Sequence, residues 1–264
     1  MSSDEPRCPY CGQPGPGARW RNTLFTRGFQ DPDQLVRALI WANGIMFVIS
    51  ILMNPRQVGV SWNPLGLLSP HSDILLVLGA TGTIPIDRLH RWWSLISANY
   101  LHGGLLHIVF NMMAIRQLAP FVIREFGPYR MFIIYTMGGV AGYLISYLAR
   151  VPLTIGASAA LCGLIGATLY YGKSRGGVYG QAVYRQVSGW VMGLFVFGFL
   201  IPGINNWGHG GGILGGIGIA FLLGYNEKVK ESLSHKYWAV ALLVITAGTL
   251  LWAVITGVYY RFLI

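Results

Sequence analysis

Charge in this chain is confined to the gaps between long apolar runs, and that pattern limits what the chain can fold into. Only 11% of its 264 residues are charged, whereas 53% are hydrophobic. A soluble domain usually spends about 25% of its residues on charge. The runs are about 20 residues each, the length a helix needs to cross a hydrocarbon layer of about 30 Å. Inside such a layer only helices and closed barrels satisfy their own backbone. A barrel would read as short alternating segments, and these runs are long and continuous. The pattern predicts an all-α polytopic membrane protein.

Hydropathy places seven spans. They cover roughly 36–54, 104–123, 128–149, 153–172, 184–202, 207–225 and 237–258. A long connection, 55–103, separates the first two. Its semi-apolar patches, Leu65–Leu68 and Ile74–Leu78, are too short to span and suit helices lying at the membrane surface. The chain then divides into a polar segment 1–34, a six-span core 35–225, and a loop with a seventh span, 226–264.

The net charge of +10 would suggest nucleic acid in a soluble protein. Here the cations sit in loops, so no nucleic-acid partner is expected. With the N-terminus inside, 14 Lys and Arg fall on inner segments and 5 on outer ones. The positive-inside rule therefore puts the N-terminus in the cytosol and the C-terminus outside, as in a multi-pass protein of a bacterial-type plasma membrane. The polar, acidic stretch before Leu35 does not resemble a signal peptide.

Cys8 and Cys11 form a two-residue-spaced pair in the N-terminal segment, and Cys162 lies far away in an apolar run. This is not a disulfide framework. The first histidine is His71, beyond the first span, so one chain cannot complete a four-ligand zinc site from Cys8 and Cys11. Zinc there would have to be shared between chains, and no other metal or cofactor is expected.

Against this apolar background a few polar side chains coincide in depth. The second, fourth and sixth spans run in the same direction. His107 and Asn111 lie in the first two turns of the second. Ser158 is expected about one and a half turns into the fourth, and His209 in the first turn of the sixth. At 1.5 Å rise per residue, all four sit about 5–10 Å below the outer surface. Polar groups at that depth are expensive and mark function.

Ser with His is the pair for nucleophilic acyl transfer. None of the nine acidic residues falls in an outer half-span near Ser158, so the pattern predicts a Ser–His dyad. Such chemistry needs donors for an oxyanion. His107 and Asn111, four residues apart, share a helix face and can both donate, as can the Ser158 amide. His102 precedes Gly103-Gly104 and lies at the mouth of the site. Gly156, Gly163 and Gly166 on the fourth span and Gly208, Gly212 and Gly216 on the sixth allow the close helix approach that would join Ser158 to His209.

These stretches resemble the rhomboid family of intramembrane serine proteases. The matching motifs are His102-x4-His107-x3-Asn111, Gly156-Ala157-Ser158-Ala159, and Gly208-His209-Gly210-Gly211-Gly212 with Gly216. The resemblance implies a six-helix core plus a C-terminal seventh helix. It implies Ser158 as nucleophile and His209 as base. The oxyanion site would be His107, Asn111 and the Ser158 amide, with His102 in support. The substrate would itself be a transmembrane segment in the bilayer, admitted near the second and fifth spans. Three positions depart from the family pattern: Ala159 replaces a common Gly, Cys162 a common aromatic, and Ser94 follows Trp93 where Arg is common.

Two rival readings have discriminators in the sequence. A proteolytically silent relative that binds membrane segments would lack the serine or histidine. A channel would carry polar groups through the full thickness, whereas Leu161–Leu169 and Ile213–Leu223 are apolar or small.

Overall fold

The computed structural model describes residues 29, 31–59, 67–201 and 203–262. The described chain is all-α. Its helices are α1 (Pro32–Leu52), α2 (Ser72–Val77), α3 (Ser94–Ser97), α4 (Leu105–Phe126), α5 (Pro128–Leu148), α6 (Ser158–Arg175), α7 (Gly177–Leu200), α8 (Asn206–Leu223) and α9 (Leu233–Phe262). Local chemistry sets several of the ends. Asp31 accepts hydrogen bonds from the Asp33 and Gln34 amides and precedes Pro32 at the first helical position. Gly127, at φ +93°, breaks α4 from α5, which then opens on Pro128. Gly176 and Gly177 both take positive φ and reverse the chain between α6 and α7.

Among the described residues, five helices are long and apolar enough to cross a membrane: α1, α4, α5, α7 and α9. The shorter α6 and α8 have 18 residues each. α6 is largely buried in the bundle and α8 packs one face on it and on α5, where glycine replaces bulk. A Cβ on Gly216 would collide with the Gly163 carbonyl oxygen, and one on Gly166 with the Ile213 carbonyl oxygen. Gly138 of α5 and Gly163 of α6 meet backbone to backbone. Without water to drive apolar surfaces together, such small-residue contacts are how membrane helices associate.

The fourth apolar run does not become helical at its start. Residues 151–157 are non-helical, and α6 begins at Ser158 itself. The reason is a contact distant in sequence. Thr154 and Thr81 exchange backbone bonds, Thr81 N–H to Thr154 O at 3.0 Å and Thr154 N–H to Thr81 O at 2.7 Å. The first connection therefore packs into the bundle. Ser94 donates to the Thr81 hydroxyl at 2.9 Å and is fully buried. The Ile74–Leu78 patch covers most of α2 and the residue after it, and Ile74, Leu75 and Leu78 are buried in the main apolar cluster. Leu67 and Leu68 form a turn, while Leu65 and Gly66 lie outside the described residues. The fifth run forms its helix earlier than hydropathy suggests, from Gly177, because the polar turn around Gln181 and Arg185 is also helical.

Arg130 closes the opposite end of the bundle. Its side chain is fully buried at the start of α5. It donates to the carbonyls of Gly224 and Val229 at 2.8 and 2.9 Å and to Asn226 Oδ1 at 2.8 Å. The guanidinium thereby satisfies the carbonyl end of α8.

Candidate active site

Ser158 stands at the first residue of α6, on the half-buried side of that helix end. The segment leading to it is held from two sides. Gly156 N–H donates to Ala98 O at 2.8 Å, and the Tyr143 hydroxyl donates to Gly156 O at 2.5 Å. Gly156 itself has φ +124°, a conformation that a side chain rarely adopts. A Cβ there would also lie 2.7 Å from His107 Nε2. The glycine is required twice over, by its backbone angle and by the imidazole beside it.

His209 lies in the first turn of α8. Its Nε2 is 3.0 Å from Ser158 Oγ. Asn205 caps this helix, accepting from Gly208 N–H at 3.0 Å. The same amide donates to Ser146 Oγ at 2.7 Å and Thr154 Oγ1 at 2.9 Å. One side chain therefore ties the histidine's helix to α5 and to the segment before Ser158. His209 Nδ1 is buried without a hydrogen-bond partner. Among the described residues no carboxylate orients this ring. A neutral imidazole at this distance can take the hydroxyl proton and hold it.

His107 sits across from the serine. Its Nδ1 accepts from Gly103 N–H at 3.2 Å, which leaves the ring proton of the neutral form on Nε2, facing Gly156 and the site. Asn111 is buried, and its Nδ2 donates one hydrogen back to His107 O at 2.7 Å. The second hydrogen of that amide remains for a ligand. His102 is fully buried, with its ring edge-on to His107 at a centroid distance of 5.0 Å and neither nitrogen hydrogen-bonded. No side chain caps the start of α6, so the Ser158 amide keeps an unused N–H at the positive end of a helix dipole.

Gly212 and Gly216 bring α6 and α8 together below the Ser158–His209 contact. A Cβ on Gly212 would strike the Ala159 carbonyl oxygen and approach Cys162 Cβ to 2.9 Å. Cys162 is a buried free thiol packed into that crossing, and Ala159 faces Gly142 of α5. Cys8 and Cys11 lie outside the described residues. Asn205, Tyr143, Ser146 and Thr154 are site residues that the sequence reading did not single out. Asn205 had a signal, an Asn three residues before a glycine-rich helical run, which is a helix-start pattern. Tyr143 had none.

α7 packs unevenly along its length. The buried residues of α7 are Gly180, Val183 and Val187, all in its first half. That half is pinned to its neighbours at the end far from Ser158. Gly172 and Gly180 bring α6 and α7 into backbone contact, and Tyr179 bonds Arg124 at 3.2 Å and Glu125 at 3.4 Å on α4. The second half exposes Val196, Phe197, Phe199 and Leu200 but touches the start of α8, where a Cβ on Gly198 would collide with the Asn206 side chain.

Comparison with known proteins gives one family. A family model described as a Rhomboid domain matches residues 89–226. RHOMBOID-like protein 4 of Arabidopsis thaliana is 27% identical over 251 residues, covering 81% of this chain and 62% of that protein. RHOMBOID-like protein 5 of the same plant is 32% identical over 208 residues, covering 69% and 66%. Rhomboid protease GluP of Bacillus subtilis (strain 168) is 31% identical over 156 residues, covering 59% and 31%. The chain thus spans between about a third and two thirds of the length of these relatives.

Proposed function

The chain belongs to the rhomboid family, and on that premise we propose that it is an intramembrane serine endopeptidase that cleaves transmembrane segments with a Ser158–His209 dyad. The observation that carries this reading is the 3.0 Å contact between His209 Nε2 and Ser158 Oγ, made between two helices that glycine alone allows to meet.

His209 Nε2 takes the Ser158 proton as Oγ attacks the scissile carbonyl carbon. The carbonyl oxygen gains the negative charge. The His107 Nε2–H, the free Asn111 hydrogen and the Ser158 amide are its donors, and the α6 dipole favours the charge. His209 returns the proton to the departing amine, leaving an ester on Ser158. Water attacks that ester with His209 again as base, and Oγ is released. With no carboxylate on Nδ1, Asn205 and the glycine crossings hold the helix of His209 in place, while Tyr143 holds the Gly156 segment that leads to Ser158. His102 supports the His107 ring from behind.

The substrate is a transmembrane segment that enters between α4 and α7. The support for this is the packing of α7, whose fully buried residues all lie in its first half, while its second half meets the start of α8 through Gly198 and Phe195, so that few contacts hold its outer end. The N-terminus lies in the cytosol and the C-terminus outside, by the 14-to-5 division of basic residues.

A fluorophosphonate probe tests this reading in the full chain. The proposal expects covalent labelling of the wild type, none of Ser158→Ala, and little of His209→Ala. An unlabelled wild type would leave a binder of membrane segments in place of a protease.

A further inference from the structure

The base of α7 carries a second feature, on the bundle face opposite Ser158. A cavity of about 460 Å³ opens between the end of α6 and the first turns of α7. That volume falls within the roughly 300–1,000 Å³ of ligand pockets. Gly172 and Gly176 line it, and Gly172 with Gly180 lets the two backbones touch beside it. Lys173, Arg185, Gln181, Tyr184 and Ser188 line it.

Every polar side chain in that lining can donate a hydrogen bond, two are cations, and none is a carboxylate. Lys173 Nζ lies 5.7 Å from the Tyr184 ring centroid, and neither it nor Arg185 pairs with an acidic residue among those described. The nearby Glu227 is already engaged by Arg175 Nε, at 3.0 Å to each carboxylate oxygen. Two unpaired cations converging on one cavity at the membrane boundary call for an anion.

The surface above the cavity says what the anion is attached to. Arg185, Ser188, Met192, Val196 and Phe199 follow one another at three- and four-residue steps, so they form one stripe along α7. The stripe is polar at its base and apolar above, with Met192 68%, Val196 49% and Phe199 81% exposed. A charged head below and a hydrocarbon track above is the outline of an amphiphile.

We propose that this cavity binds the phosphate headgroup of an anionic membrane lipid, whose acyl chains lie along Met192, Val196 and Phe199. The headgroup bridges Lys173 on α6 and Arg185 on α7. It thereby clamps the anchored end of the helix whose other end meets Asn206, three residues before His209.

Thermal unfolding of the full chain in a neutral detergent, with added lipid, tests this. Phosphatidylglycerol should raise Tm saturably. Phosphatidylcholine with the same acyl chains, its phosphate neutralised by choline, should raise it less, and inorganic phosphate alone should not. Lys173→Gln with Arg185→Gln should weaken the phosphatidylglycerol response about 30-fold in concentration, at about fivefold per cation. Lys228→Gln with Lys230→Gln removes the same charge from the same face and should respond like wild type. Lys173→Arg with Arg185→Lys keeps both charges and should retain the response, which also excludes a folding defect as its cause. An absent wild-type response, or equal responses in the two charge-removed proteins, would overturn the proposal. A full shift from inorganic phosphate would also overturn it, by assigning the cavity to a soluble anion.

Discussion

His209 Nε2 and Ser158 Oγ lie 3.0 Å apart although 51 residues separate them. The contact exists because α6 and α8 approach to backbone distance, with Gly216 against the Gly163 carbonyl and Gly212 against that of Ala159. The site is therefore as sensitive to helix spacing as to its own side chains.

Gly216→Ala tests that spacing. The added methyl meets backbone that cannot rotate away, so the helices must part. We expect a loss of about 1–3 kcal/mol of stability, with cleavage falling further than stability. Gly218, which has open space around its would-be Cβ, serves as control. Gly218→Ala should leave both the melting temperature and the rate near wild type.

Asn205 is a positioning residue. Asn205→Ala removes the α8 cap, worth about 1 kcal/mol, and the links to Ser146 and Thr154. Calorimetry should show the stability loss, and kcat should fall because His209 is held by that turn. Asn205→Ser keeps an acceptor for Gly208 N–H. It should recover the cap but not the two links, so kcat should recover less than Tm.

Asn111→Ala removes one oxyanion donor among three. The rate should drop about 10- to 1000-fold, chiefly in kcat, with fluorophosphonate labelling slowed and not abolished. An unchanged kcat would place Asn111 outside the chemistry and leave it as a cap for the His107 carbonyl.

Glu231 gives a pH dependence far from the site. Burial raises its carboxyl pKa above the usual range, against the opposing pull of Arg130. A raised folded-state pKa means the protonated form is favoured on folding. That stability is complete below the ordinary Glu pKa of about 4.3 and is lost as pH rises through the folded value. Glu231→Gln mimics the neutral form at every pH. Tm of Glu231→Gln minus Tm of wild type should therefore increase from about pH 4 to about pH 8. A decrease would mean that the 3.9 Å pair with Arg130 outweighs desolvation.

The membrane architecture was legible because hydropathy acts over 20-residue windows, and the shared depth of Ser158, His209, His107 and Asn111 followed from it. What the sequence concealed depends on contacts between distant segments. Residues 153–157 are apolar enough to extend α6 upward, yet the pairing of Thr154 with Thr81 holds them extended and puts Ser158 at a helix start. That shift adds the helix dipole to the proposed oxyanion site. Tyr143 looked like one aromatic among many in an apolar run, and only the fold reveals its bond to Gly156. Glycine spacing signalled close packing but not its partners. Ala159 and Cys162 prove to face the α5–α6–α8 crossing, which explains why small side chains stand there.

The most direct test is cleavage of a reconstituted transmembrane substrate by the wild type and by Ser158→Ala, with folding of both followed by thermal unfolding. The account predicts cleavage by the wild type and none by a fully folded Ser158→Ala. Cleavage retained by that variant would contradict the Ser158–His209 dyad.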